Sequence, residues 1–181
     1  MRLTRIVALD AGGGRLSRSP AAARVRRGVF RILGQIRLCT IATVSRSRRA
    51  HANTAYFAFS TDLELCFLSH PGSTHCRNLE GNRSVALTVF SSEQDWGGND
   101  RGLQLFGSGF LAKGAHARRA ERLYARRFRA YARWKRELER DDTANDYRFY
   151  RVRVDRLKLF DERAFGGAVF VSARVQRSSG V

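Results

Sequence analysis

The chain has 181 residues, and 43% of them are hydrophobic, which suits one globular domain with a buried core and excludes a wholly disordered chain. Lys and Arg total 34 against 16 Asp and Glu, a formal net charge of +18. Three cysteines without regular spacing argue against a disulfide framework. No apolar run approaches a membrane span or a signal-peptide core, so a cytoplasmic location is expected.

The positive charge has two interpretations. A strongly basic protein can bind a polyanion such as nucleic acid. Alternatively, arginine is simply the cation that covers this protein's surface. The arginines are spread along the whole chain rather than gathered in one block, which favours the second interpretation. Nucleic acid is therefore not an expected partner.

The first part of the chain predicts little structure before a helix. Residues 1–18, with three consecutive glycines, are expected to form a flexible leader. Ser19 is then predicted to cap a helix that has Pro20 in its first position and ends at Gly34. Apolar residues recur at helical spacing between these limits.

The rest of the chain predicts mostly antiparallel strands, followed by a basic helix and one long strand. Strands are expected over 38–44, 51–59, 63–68, 85–90, 102–111, 147–160 and 168–171, and helices over 73–79 and, in one or two pieces, 115–139. Gly107 and Gly109 indicate a bulge or a close backbone approach in the strand over 102–111. A polar loop over 141–145 and a flexible tail over 174–181 complete the prediction, with one domain over 19–173. Consecutive strands without βαβ alternation favour a closed or partly closed barrel.

The most informative segment is 65–79, a buried strand followed by a glycine turn and the start of a helix. A helix N-terminus carries free N–H groups and partial positive charge, so it can hold an anion. Ser73 and Thr74 add hydroxyl donors, and His75 and Arg77 can add positive charge. These residues predict a phosphate cradle. Taken singly, Ser73 is better explained as a helix cap and Arg77 as one more solvated arginine.

This segment resembles the flavin-binding segment of the pyridoxamine 5′-phosphate oxidase-like superfamily. Ser69 and His70 occupy the strand-end positions, Ser73 matches the family serine, and Asn78-Leu79 matches the pair that follows. His75 stands where the family usually has Lys or Arg, so other arginines are expected to compensate. The resemblance implies an antiparallel split β-barrel, mainly β with flanking helices, that binds flavin mononucleotide (FMN) as a homodimer.

Two further segments extend the resemblance over about residues 22–170. Segment 51–57 is similar to the strand that lines the flavin, which implies Asn53 and Thr54 beside the ring. Segment 101–107 is similar to a strand that reaches the flavin of the partner subunit, which implies Gln104 there. Arg127-Phe128 fits a small uncharacterised bacterial branch. The expected function is an FMN-dependent oxidoreductase acting on an unidentified small substrate.

Several alternatives stay open at this stage. The terminal Arg-x-x-Pro-type element of true pyridoxamine phosphate oxidases is missing, so pyridoxamine 5′-phosphate is not the expected substrate. The fold could be a non-catalytic module for flavin or haem, with His70 or His75 as the axial ligand. A basic polyanion-binding protein is the third possibility. No standard metal-ligand spacing is present, and no residue stands out as a catalytic acid or base.

Overall fold

The computed structural model describes residues 1–140 and 146–177. Within them the chain forms eight strands and five helices. The strands are β1 (Arg2–Leu9), β2 (Leu38–Val44), β3 (Ala50–Phe59), β4 (Glu64–Ser69), β5 (Ser84–Phe90), β6 (Arg101–Leu111), β7 (Arg148–Asp161) and β8 (Phe170–Gln176). The helices are α1 (Ala22–Gln35), α2 (Thr74–Gly81), α3 (Ala115–Arg127), α4 (Tyr131–Arg140) and α5 (Glu162–Phe165).

Six antiparallel strands close into a barrel in the order β7-β4-β3-β2-β5-β6, with β6 returning to β7. The long strand β7 makes closure possible because its two halves have different neighbours along one edge. Arg148–Arg153 pair with β4, whereas Arg156–Phe160 pair with β8. The other edge of β7 pairs with β6 along its whole length. The predicted mainly β, antiparallel split barrel with flanking helices is confirmed.

Alternation along the strands produces the core. In β2, Cys39, Ile41 and Thr43 are buried and the residues between them are more exposed, as a half-buried strand requires. The buried apolar residues of the barrel strands form one cluster with those of α1 and α2. A second, smaller cluster lies between α3, α4 and the outer side of β3, β4 and β7. The helices therefore cover one part of the barrel's outside and leave the rest bare.

The predicted leader is wrong over Arg2–Leu9, which form β1 and pair with β8. The charged residues Arg2 and Arg5 hid this strand from the sequence analysis, because only its partner supplies the pairing. The helix start is also misplaced, since α1 begins at Ala22 with Ala21 as its N-cap, rather than at Ser19-Pro20. At the other end, the predicted frayed tail is strand up to Gln176, and 178–181 lie outside the described residues.

Most later predictions agree with the structure. The basic helix consists of two pieces, α3 and α4, whose aromatic stripe packs on the outside of the barrel. The register between β6 and β7 shifts between Phe106 and Gly107, but the extra residue, Asp155, lies in β7, so the bulge is in the partner strand. The alternative, a close backbone approach at Gly107, is confirmed, because a Cβ there would lie 2.0 Å from the Arg153 carbonyl oxygen. The predicted loop over 141–145 lies outside the described residues.

Candidate functional site

The turn between β4 and α2 has a fixed conformation. The Ser73 N–H donates to the His70 carbonyl at 3.0 Å and closes the turn. The Gly72 N–H donates to Nδ1 of His70, also at 3.0 Å. Because this nitrogen accepts a hydrogen bond, the neutral His70 ring carries its proton on Nε2. The imidazole of His70 is exposed, and its Nε2 lies 3.9 Å from Oδ2 of Asp146.

Beneath this turn, two serine hydroxyls and one imidazole form a compact polar cluster. Nε2 of His75 lies 2.8 Å from Oγ of Ser69 and 3.2 Å from Oγ of Ser73, and the two hydroxyls are 3.2 Å apart. Ser73 is the N-cap residue of α2, as predicted, but its side chain makes no capping hydrogen bond. Its hydroxyl faces His75 instead. The first N–H groups of α2 therefore lack the usual side-chain acceptor.

His75 is a buried, neutral imidazole rather than a cation. Its residue is only 8% exposed, and its ring stacks at 9° on that of His51 with centroids 6.3 Å apart. Burial, and to a lesser degree the nearby His51, lower the pKa of His75 below its ordinary value. The expectation that His75 adds positive charge to the cradle is therefore wrong near neutral pH. His75 can still donate or accept one hydrogen bond with a hydroxyl.

Two contacts hold α2 in place over the barrel. Nδ2 of Asn78 donates to Oγ1 of Thr43 at 3.0 Å, with both residues buried. Cys76 of α2 packs in the same buried cluster as Tyr150 of β7, and burial, with a further contribution from the Cys76 thiol, raises the pKa of Tyr150. Thr43 and Tyr150 did not stand out in the sequence, because an isolated polar residue in a strand carries no signal of its partner. The Thr43–His51 pairing in the β2–β3 register is what brings α2 and β3 together.

The remaining predicted site residues divide into three groups. Asn53 lies on the inward side of β3, and its Oδ1 is buried without a hydrogen-bond partner among the described residues. Thr74 and Arg77 are exposed at the start of α2. Thr54 and Gln104 lie on the outer surface of the barrel. Thr54 pairs with Thr40, Thr40 pairs with Thr88, and Thr88 pairs with Gln104, so all four residues lie in one row across the sheet. The structure thus brings Ser69, Ser73, Thr74, His75 and Arg77 together at the start of α2, places Asn53 separately on the inward side of β3, and leaves Thr54 and Gln104 on the outer surface.

The residues around the start of α2 suit a phosphate group. The uncapped N–H groups and the hydroxyls of Ser73 and Thr74 are donors to an anion. Arg77 lies three residues after Thr74 in the helix, so both side chains share one side of α2. The resembled family usually has a lysine or arginine at the position of His75. In this chain, Arg77 is the residue near the start of α2 that can supply the positive charge instead.

A family model described as pyridoxamine 5′-phosphate oxidase matches residues 29–161, well over half of the chain. The chain belongs to this family. The match begins within α1 and ends at the last residue of β7, so it includes the whole six-stranded barrel and α2. No curated protein matches the sequence.

Solved structures share the fold. A haem-binding protein from Mycobacterium smegmatis superposes with a TM-score of 0.63 at 18% identity, covering 86% of this chain and 59% of that chain. HutZ, the haem storage protein from Vibrio cholerae, has a TM-score of 0.56 at 16% identity, covering 81% and 93%. General stress protein 26 from Bacillus anthracis has a TM-score of 0.54 at 15% identity, covering 76% and 94%. At these identities the similarity concerns the fold.

The described residues contain neither a cluster of metal ligands nor a membrane-spanning helix. No three His, Cys, Asp or Glu side chains within 1–140 and 146–177 are arranged to hold a metal ion. Within the same ranges, no helix has the length and apolar character needed to cross a membrane.

Proposed function

We propose that this protein is an FMN-dependent oxidoreductase acting on a small substrate. The observation that carries the proposal is the uncapped N-terminus of α2, where Ser73 turns its hydroxyl to the His75 cluster. A phosphate bound there would accept from the free N–H groups of the first turn and from the hydroxyls of Ser73 and Thr74. When bound, the isoalloxazine ring would supply the hydride or electron transfer.

Each residue of the site has a separate part in this proposal. Arg77 supplies the positive charge that neutral His75 does not. Oγ of Ser69 and Nε2 of His75 each lie 3.2 Å from Oγ of Ser73, and these two hydrogen bonds fix the orientation of the Ser73 hydroxyl. Asn53 has a buried Oδ1 without a partner, and such an acceptor is costly unless a ligand or water donates to it. We assign it to a polar N–H or O–H of the cofactor.

The histidines favour flavin over haem. A haem ligand needs a ring nitrogen with a free lone pair. Nδ1 of His70 accepts from Gly72, which leaves the proton on Nε2. Nε2 of His75 is within hydrogen-bond distance of two hydroxyls. Iron ligation through these nitrogens would require those hydrogen bonds to break.

The proposal includes a homodimer that forms through an uncharged part of the barrel surface. We call this surface the neutral face and define it as the outward residues of three adjacent strands, Leu38, Thr40, Ala42 and Val44 of β2, Ala50, Ala52, Thr54 and Tyr56 of β3, and Ser84, Ala86, Thr88 and Phe90 of β5. None of these twelve is charged, although the chain carries +18.

A second copy of the chain is the occupant that this face suits best. Tyr56 and Phe90 are 54% and 50% exposed on it, and exposed apolar surface without charge is typical of subunit interfaces. Gln104 pairs with Thr88 at the border of the neutral face. In a two-fold dimer through this face, Gln104 would approach the partner, as the sequence resemblance implies.

The test is a visible absorption spectrum after addition of excess FMN and removal of the unbound part. We expect the wild-type protein to retain flavin, and Ser73→Ala and Arg77→Gln to lose at least about tenfold in affinity. Ser92→Ala and Arg129→Gln make the same chemical changes at exposed positions away from α2 and should retain it. A protein that retains no flavin, or that binds haemin with a dependence on His70, would overturn the proposal.

A further inference from the structure

The fold gathers cations and aromatic rings on the part of the barrel surface that the neutral face does not occupy. On the outer side of β6 and β7, arginines lie over phenylalanine rings. The guanidinium of Arg156 lies 4.2 Å from the centroid of Phe106, and those of Arg83 and Arg151 lie 5.0 and 5.1 Å from Phe110. These residues are far apart in sequence, so their charges look dispersed along the chain although they are neighbours in the fold.

The same arrangement continues towards β8. Nζ of Lys158 lies 4.1 Å from the centroid of the Phe170 ring, which stacks on Phe160 with centroids 4.6 Å apart. Arg153, next to Arg151 on the strand, approaches Phe110 at 6.0 Å. We call this surface the cationic stripe and define it by Arg83, Arg151, Arg153, Arg156, Lys158, Phe106, Phe110, Phe160 and Phe170. It follows β7 from residue 151 to residue 160, about 30 Å at the rise of a strand.

Much of the charge in the stripe is not neutralised by the protein. Arg151 pairs with Glu64 at 2.8 Å, and Arg153 is 3.8 Å from Asp155. Within the described part of the chain, Arg83, Arg156 and Lys158 have no carboxylate within ion-pair distance. Clustered cations without carboxylates repel one another, so the surface favours binding of an anion.

We propose that the cationic stripe binds single-stranded nucleic acid. Cations in a row match a phosphate backbone, and guanidinium planes and aromatic rings provide surfaces on which bases stack. Duplex DNA fits less well, because the stripe lies on a sheet and presents no helix for a major groove. An anionic membrane fits less well too, since the four rings of the stripe are half-buried and expose too little apolar surface to enter a bilayer. RNA and single-stranded DNA both offer a phosphate backbone and unpaired bases, so both belong to the proposed class of ligand.

The test measures fluorescence anisotropy of labelled poly-U and poly-dT oligonucleotides over a salt series. Arg83→Gln, Arg156→Gln and Lys158→Gln combined should weaken binding by about tenfold or more near 100 mM salt. The same triple variant should make the salt dependence shallower by about two in log–log slope. A matched control, Arg122→Gln, Arg126→Gln and Arg129→Gln, removes the same charge from exposed positions around the end of α3 and should change affinity less than about twofold.

A second variant separates stacking from charge. Phe106→Leu with Phe110→Leu should weaken binding severalfold with no change in the salt slope. The proposal is overturned by absence of binding at low salt, by equal losses in both triple variants, or by equal or tighter binding to a duplex of the same length. It is also overturned if the stripe is needed only for vesicles of anionic phospholipid. Tighter binding to poly-U would identify RNA as the ligand, and tighter binding to poly-dT would identify single-stranded DNA.

Discussion

The outer surface of one barrel has two halves of opposite character. The neutral face, on β2, β3 and β5, has no charged residue among its outward positions. The cationic stripe, mainly on β6 and β7, places arginines of β7 over phenylalanine rings of β6. Both halves use the same period-two alternation over one shared core. Burial therefore constrains the inward residues of both, whereas the outward residues differ because each half faces something different.

The two halves also differ in backbone geometry. The register between β2 and both of its neighbours is continuous, whereas β6 and β7 change register between Phe106 and Gly107. Such a bulge twists the strand and redirects its side chains. It lies in the middle of the cationic stripe, so it helps determine which residues of β7 face Phe106 and Phe110.

The largest effect is expected for Gly107→Ala, which should disrupt the half that carries the stripe. A Cβ at this position would lie 2.0 Å from the carbonyl oxygen of Arg153 and 2.9 Å from Cα of Val154. Backbone atoms cannot yield as a side chain can, so we expect a loss of about 3 kcal/mol or more in the free energy of unfolding. Gly102→Ala in the same strand meets its nearest atom at 3.5 Å and should cost less than about 1 kcal/mol. Equal urea midpoints for the two variants would contradict this account.

The second prediction concerns the neutral face alone. Ala42→Arg places a charge on the exposed outer side of β2, between Ala52 and Ala86. In a two-fold interface each copy brings the same uncompensated charge, so dimerisation should weaken at least about 100-fold. Light scattering at micromolar concentration should give a dimer for the wild type and a monomer for the variant. Ser92→Arg, in an exposed loop, is the control. A monomeric wild-type protein would refute the proposed dimer.

The third prediction separates arginines that belong to the fold from arginines that belong to the stripe. Arg127 donates to the Leu33 carbonyl at 2.7 Å and lies 4.9 Å from the centroids of Phe57 and Phe59, so it joins α3 to the end of α1. Arg127→Met should lower the free energy of unfolding by about 1.5–3 kcal/mol. Arg156→Gln in the stripe should lower it by less than about 1 kcal/mol. Chemical denaturation of both variants checks the difference, and a larger cost at Arg156 would mean that the stripe is structural.

The smallest effect concerns pH and α2, which packs against the strands of the neutral face. The pKa of His75 is lowered in the folded protein, so between that pKa and the unfolded value of about 6.5 the unfolded chain holds one more proton. Stability should therefore fall as the pH falls through about 6.5 and level off below the folded pKa. His75→Gln should remove this part of the slope in urea midpoints measured between about pH 7.5 and 5.5. His116→Gln, exposed on α3, should leave the slope unchanged.

Local sequence patterns predicted much of this molecule. An apolar run rich in β-branched residues predicted β2, and period-two alternation predicted β3 to within one residue. Gly107 predicted the close approach of the β7 backbone to β6. The turn with glycine and hydroxyl residues predicted the start of α2, and the order of segments predicted the family. These features depend on neighbouring residues, which the sequence displays directly.

Contacts between distant residues were decided only by the tertiary structure. β1 was missed because its strand forms by pairing with β8. His75 lost its expected charge because the fold buries it beside His51. The arginines at 83, 151, 153 and 156 looked dispersed because sheet register, not sequence distance, makes them neighbours of the same two phenylalanines. The sequence by itself determined the strands of the barrel and most of its turns. Closure of the barrel determined the added strand β1 and which side chains meet, since burial and pairing are properties of the assembled sheet.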